Sequence, residues 1–168
     1  LLADEPDIHI VGAVGFPSGG NTIATKTAEA RELLGMGCSE LDMVINIGLL
    51  RSGSHQRVLD EIRGVVDVAG EAPVKVILEC HYLSDDQIRV GCELCIRAGA
   101  SFVKTSTGWA PTGATLENVA LIKSCVGDAI AIKAAGGIRN LDVVMEMYRL
   151  GARRFGIGLS SAIQIFEE

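Results

Sequence analysis

The sequence predicts an α/β fold of the (β/α)-barrel type, on three observations. Apolar segments of strand length alternate with stretches of helical spacing, six times along the chain. Those segments are continuously apolar, the pattern of a parallel sheet covered on both faces. Three of them nevertheless carry a charged residue in mid-strand: Asp42, Lys104 and Lys133. An open, doubly wound sheet would press such charges against its helices. A barrel gathers them in its interior and places chemistry at the carboxyl ends of its strands. The full barrel has about eight units; six are legible here, and the whole chain, 1–168, reads as a single domain.

Each unit has its own signals. Ile8–Phe16 is the first strand, ending at Pro17-Ser18-Gly19-Gly20-Asn21 ahead of a helix over Thr22–Met36. Leu41–Ile47 is the second, with Arg57–Ala69 as its helix. Val74–Cys80 is the third, and Ser84-Asp85-Asp86-Gln87 is a capping-box signature opening a helix to Ala98. Phe102–Ser106 is the fourth, followed by a Gly/Pro loop and a helix capped by Thr115. Ala129–Ala134 is the fifth, with Asn140 capping Leu141–Leu150. Arg154–Gly158 is the sixth and runs into a short helix near Ser161–Glu168. Gly37, Gly99 and Gly151 each precede Asp42, Lys104 and Gly156 by five residues, so these three are expected at similar heights in the sheet. Period-two alternation places Asp42, Val44 and Asn46 on one face, and likewise Phe102, Lys104 and Ser106.

Composition narrows the function classes. A net charge of −6 argues against a nucleic-acid surface, while leaving room for a local cationic pocket. No apolar run approaches the ~20 residues of a membrane span. The five cysteines follow no disulfide rhythm, which fits a cytoplasmic location, and the lone pair Cys92/Cys95 reads as helix packing. His9 and His55 read as surface positions, His55 on a loop. The chain opens on Leu1 rather than methionine and is expected to be a fragment or a processed form.

The chemistry centres on Phe102-Val103-Lys104-Thr105-Ser106-Thr107-Gly108. Lysine is almost never fully buried without a partner, and a lysine attacks a carbonyl only as the neutral amine. At an ordinary pKa of about 10.4 only roughly one in a few thousand is neutral at pH 7. Burial and a second cation are the available remedies, and Lys133, on the next strand, supplies the cation. Asp42 is then the group that exchanges protons with substrate; the alternative is a structural ion pair between Asp42 and Lys133. A second signal is phosphate. Ala135-Gly136-Gly137-Ile138-Arg139 and Gly158-Leu159-Ser160-Ser161 each follow a strand and open a helix, so that bare amides and helix N-termini point at one spot. Glu79, Cys80 and His81 lie at a strand end facing the mouth, where hydrogen bonding or packing is the expected role, and Trp109 reads as a cover over the substrate.

Three motifs, Phe102–Gly108, Lys133–Arg139 and Leu41–Gly48, together with Gly15-Phe16-Pro17 and Gly158–Ser161, resemble the deoxyribose-phosphate aldolases from about Ile10 onward. The resemblance implies a TIM barrel that uses no metal or organic cofactor. It further implies reversible cleavage of 2-deoxy-D-ribose 5-phosphate to glyceraldehyde 3-phosphate and acetaldehyde. Carried over by position, Lys104 is the Schiff-base lysine, Lys133 the lysine that lowers its pKa, and Asp42 the proton relay. Phosphate contacts fall to Gly108, Gly136, Gly137, Arg139, Gly158, Ser160 and Ser161. The expected partners are a small phosphorylated sugar or aldehyde and further copies of the chain, with no nucleic acid and no membrane. The first two β/α units of that family, including an acidic strand-one motif, have no counterpart before Ile8. Two readings therefore stand beside the aldolase: a weak or inactive barrel fragment that oligomerises, and another Schiff-base aldolase of small phosphorylated sugars.

Overall fold

The structure is a computed structural model that describes residues 8–167. Six strands, β1 (Val11–Val14), β2 (Glu40–Val44), β3 (Val74–Ile77), β4 (Phe102–Lys104), β5 (Ala131–Ala135) and β6 (Arg154–Gly156), form one sheet in chain order. Every neighbouring pair is parallel. Alternation divides each strand between two environments. Leu41, Met43, Val74, Val76, Val103, Ile132 and Ala134 join the apolar core shared with the helices. Asp42, Lys75, Lys104 and Lys133 occupy the other face.

That other face is concave. Glu40 on β2 forms an ion pair with Arg154 on β6, although four strand spacings of a flat sheet would hold them roughly 19 Å apart. Asp42 on β2 likewise reaches β4 and β5. The sheet therefore curls into the greater part of a barrel, with β1 and β6 at its edges. At the first edge the inner side chain of Val11 is 41% exposed.

The helices are α1 (Ile23–Gly35), α2 (Ile47–Arg51), α3 (His55–Ala69), α4 (Asp85–Ala98), α5 (Leu116–Val126), α6 (Leu141–Arg149) and α7 (Leu159–Glu167). Side chains of Thr22, Ser84, Thr115 and Asn140 accept a backbone N–H at the starts of α1, α4, α5 and α6, and the capping box at Ser84 and Gln87 is complete. Cys92 and Cys95 are buried in the apolar core with raised thiol pKa values, which burial causes first. Glu168, the expected end of the last helix, lies outside the described residues.

Several expectations need correction. The strands are shorter than their apolar runs, because chain beyond Val44 and Ile77 turns into a short helix, α2, and a 3₁₀ turn (Cys80–Tyr82). Asn46 thus does not extend the inward face of β2; it caps α2, accepting from the Leu49 N–H at 3.0 Å. His55 opens α3 rather than lying on a loop. Asp42, Lys104 and Gly156 are also not level. Asp42 pairs with Lys75, Lys104 with Ile77 and Lys133, and Gly156 with Ala135. The stagger is that of strands tilted to a barrel axis.

An ion pair absent from the sequence reading secures the end of β2. Lys26 on α1 and Glu61 on α3 are both buried and bonded to each other. Lys26 Nζ also donates to the Val44 carbonyl at 2.6 Å, and Glu61 accepts the Asn46 N–H at 2.9 Å. Removing one partner strands the other charge in the core. Lys26→Met is expected to lower unfolding stability in urea by about 3–5 kcal/mol, with much of the loss recovered in Lys26→Met/Glu61→Leu. Equal stability of the single and double variants would contradict the coupling.

Candidate active site

The site is built where β2, β4 and β5 converge. Lys104 is the last residue of β4 and Lys133 lies in mid-β5; the two are cross-strand partners on the concave face. Each is only 8% exposed. Both amines donate to one oxygen, Asp42 Oδ2, at 2.7 Å from Lys104 and 2.6 Å from Lys133. Burial by itself would raise the Asp42 pKa, but the neighbouring charges and hydrogen bonds of Lys104 and Lys133 outweigh it and hold the carboxyl below its ordinary value. Lys133 moves down as well, through burial first and through the charges of Lys104 and Lys75, against the opposing pull of Asp42.

A second layer of charge underlies this triad. Lys75 Nζ is 2.5 Å from Glu40 Oε2 and 3.3 Å from Asp42 Oδ1. Arg154 pairs with Glu40, and the Phe102 ring lies 5.9 Å from the Lys75 amine and 5.5 Å from the Arg154 guanidinium. Among the described residues, Lys75, Lys104, Lys133 and Arg154 thus converge on two carboxylates, Glu40 and Asp42. The sequence reading missed Glu40, Lys75 and Arg154. Val74-Lys75-Val76-Ile77 carried the same signal as Lys104, a lysine within a buried strand.

Beside the triad opens a cavity of about 400 Å³ whose lining includes Lys104, Gly108, Gly136, Gly137, Arg139, Gly158 and Ser161. Ser160, exposed on the first turn of α7, lies outside that lining, and so does Lys133. At Gly136 backbone meets backbone, with the Gly113 Cα 3.0 Å from where its Cβ would lie. A Cβ on Gly113 would lie 2.1 Å from the Gly136 carbonyl oxygen, and the Ala114 N–H donates to that oxygen at 2.9 Å. Gly113 was a second omission. Nor does the Gly136-Gly137 turn open α6 directly: the helix starts at Leu141, and its Val143 N–H is taken by the Asn140 side chain. Among the described residues no group of three or more His, Cys, Asp or Glu is placed to hold a metal ion. In chemical terms the site offers an amine at a cavity wall, a carboxylate shared with a second amine, and a cavity wall rich in glycine.

Because the Asp42 carboxyl is held below its unfolded value of about 3.9, its ion pairs stabilise the fold above that pH, and this contribution is lost as pH falls through the lowered folded pKa. Denaturant titrations across the acid range should show Asp42→Asn losing less stability than the unaltered chain between neutral pH and about pH 2. Parallel acid limbs would contradict the assignment.

Residues 3–168 match the DeoC/LacD family of aldolases. The chain is 48% identical over 162 residues to the deoxyribose-phosphate aldolase of Klebsiella pneumoniae, covering 96% of this chain and 65% of that protein. A crystal structure described as a putative deoxyribose-phosphate aldolase from Coccidioides immitis superposes with a TM-score of 0.93 at 36% identity, over 98% of this chain and 65% of that one. The deoxyribose phosphate aldolase of Aeropyrum pernix, described as a unique tetramer, superposes with a TM-score of 0.85 at 32% identity, over 95% of this chain and 67% of that one. The chain thus spans a little under two thirds of the Klebsiella relative's length. Over that span the folds agree, and the chain belongs to the DeoC/LacD family of aldolases.

Proposed function

We propose that this chain forms one aldolase-type barrel domain that cleaves 2-deoxy-D-ribose 5-phosphate reversibly to D-glyceraldehyde 3-phosphate and acetaldehyde. The observation that carries the reading is the convergence of Lys104 and Lys133 on a single oxygen of Asp42 beside a glycine-lined cavity. Of the two lysines only Lys104 lines that cavity, which supports it as the nucleophile. Its neutral amine adds to the substrate aldehyde, giving a carbinolamine that loses water to become a protonated Schiff base. A base then takes the proton from the C3 hydroxyl. The C2–C3 bond breaks, its electron pair flows into the iminium, and glyceraldehyde 3-phosphate leaves with C3 as its aldehyde carbon. The remaining enamine takes a proton at C2, and water releases acetaldehyde and free Lys104.

Asp42 is the relay in this scheme, directly or through water, because its carboxylate already accepts from both amines. Lys133 is the second amine of the triad and holds the Asp42 carboxylate in place for Lys104 through the oxygen they share. The phosphate is held by amides of Gly108, Gly136, Gly137 and Gly158, by Ser161 and by Arg139, with Ser160 on the adjoining first turn of α7. The phosphorylated-sugar class is supported by the names of the relatives, and a homo-oligomer by the tetrameric Aeropyrum protein. No helix among the described residues is long and apolar enough to cross a membrane.

A coupled assay of acetaldehyde release tests the reading. The unaltered chain should turn over 2-deoxy-D-ribose 5-phosphate, Lys104→Met should fall to background, and Asp42→Asn should lose about 10²–10⁴-fold in kcat. Turnover retained by Lys104→Met, or absent from the unaltered chain, would overturn it.

A further inference from the structure

Glu79 is the only non-glycine residue with positive φ among the described residues, at φ 56 and ψ 66. A left-handed backbone is uncommon for such a residue and persists where the surroundings demand it. The residue is also 2% exposed, and among the described residues no cation is paired with it. A buried carboxylate in a strained conformation is costly on both counts, so its contacts matter. Glu79 Oε2 accepts the Thr107 N–H at 3.2 Å and also accepts the Thr107 hydroxyl. Its other oxygen, Oε1, is buried without a hydrogen-bond partner. The Thr107 hydroxyl, with its proton committed to Glu79, accepts the Trp109 N–H at 3.0 Å.

Gly108 lies between those two anchored residues, at φ 90, with its backbone in the wall of the cavity that holds Lys104. The same connection is held a second time, by His81 Nδ1 and Thr112 Oγ1 at 2.7 Å. The turn after β4 therefore takes its shape from the turn after β3. We propose that Glu79 is a positioning residue for phosphate recognition: it fixes Thr107 and Trp109, and through them aims the Gly108 backbone at the anion. The proposal rests on the reading of the glycine-lined cavity as the phosphate site. It gives Glu79 no contact with substrate and no part in the lysine chemistry.

Isothermal titration of the full chain with inorganic phosphate tests it. Glu79→Leu, which keeps bulk but accepts nothing, should weaken phosphate binding by about tenfold. Glu79→Gln, which keeps one acceptor oxygen, should return affinity to within about threefold of the unaltered chain. Thr107→Val should reproduce the loss and remains decisive if Glu79→Leu does not fold. Because both act on one contact, the double variant should be no weaker than either single one. Unchanged affinity in folded Thr107→Val, losses that add in the double variant, or no phosphate binding by the unaltered chain would overturn the proposal. Acetaldehyde release judges the aldolase reading separately, since it depends on Lys104 and not on this contact.

Discussion

One carboxylate oxygen accepting two lysine amines is the constraint from which the rest of the molecule follows. Asp42 Oδ2 has its partners on β4 and β5, two and three strands away. Only a curled sheet brings them within hydrogen-bond distance. Curling in turn requires the concave face to accept charge, and Lys75, Glu40 and Arg154 fill the layer beneath the triad. Among the described residues, four cations there share two carboxylates, Glu40 and Asp42. The helical layer carries the opposite load. Its contacts with Leu41, Met43, Val76, Val103, Ile132 and Ala134 are apolar throughout, so the hydrophobic stabilisation of the barrel comes from outside the sheet.

Glycine does for the anion cradle what Asp42 does for the triad. The loops after β4 and β5 approach so closely at Gly113 and Gly136 that neither position has room for a side chain. A Cβ on Gly156 would likewise lie 2.7 Å from the Ala135 Cβ and 3.8 Å from the Lys133 Cε. The glycines thus serve two ends. They let the loops after β4 and β5 touch at Gly113 and Gly136, and they let β5 and β6 pack closely at Ala135 and Gly156.

Much of this was legible in the sequence, for reasons that differ by residue. Lys104, Lys133 and Asp42 stood out because a charge in a continuously apolar strand demands a partner, and period-two alternation then chose the face. Lys75 carried the same signal and was passed over because no motif called attention to it. Glu40 and Arg154 sit at strand starts, where a charge is ordinarily solvated; only the curl of the sheet buries their pairing. Asn46 was misplaced because strand alternation and helix capping write the same residue, and periodicity does not show where a strand stops. The levels of Asp42, Lys104 and Gly156 were misjudged because equal spacing from a glycine ignores strand tilt. Gly113, Lys26 and Glu61 depend on contacts between distant segments, which no local pattern encodes.

The central claim, that Lys104 is an amine nucleophile held ready by Asp42 and Lys133, is tested most directly by chemical trapping. The chain would be incubated with acetaldehyde, reduced with borohydride, and digested for peptide mass mapping. The account predicts a reduced two-carbon adduct on Lys104, diminished when Asp42 is replaced by Asn. An adduct confined to Lys133, whose amine burial pushes toward the neutral form, would contradict it, as would a chain that takes up no adduct.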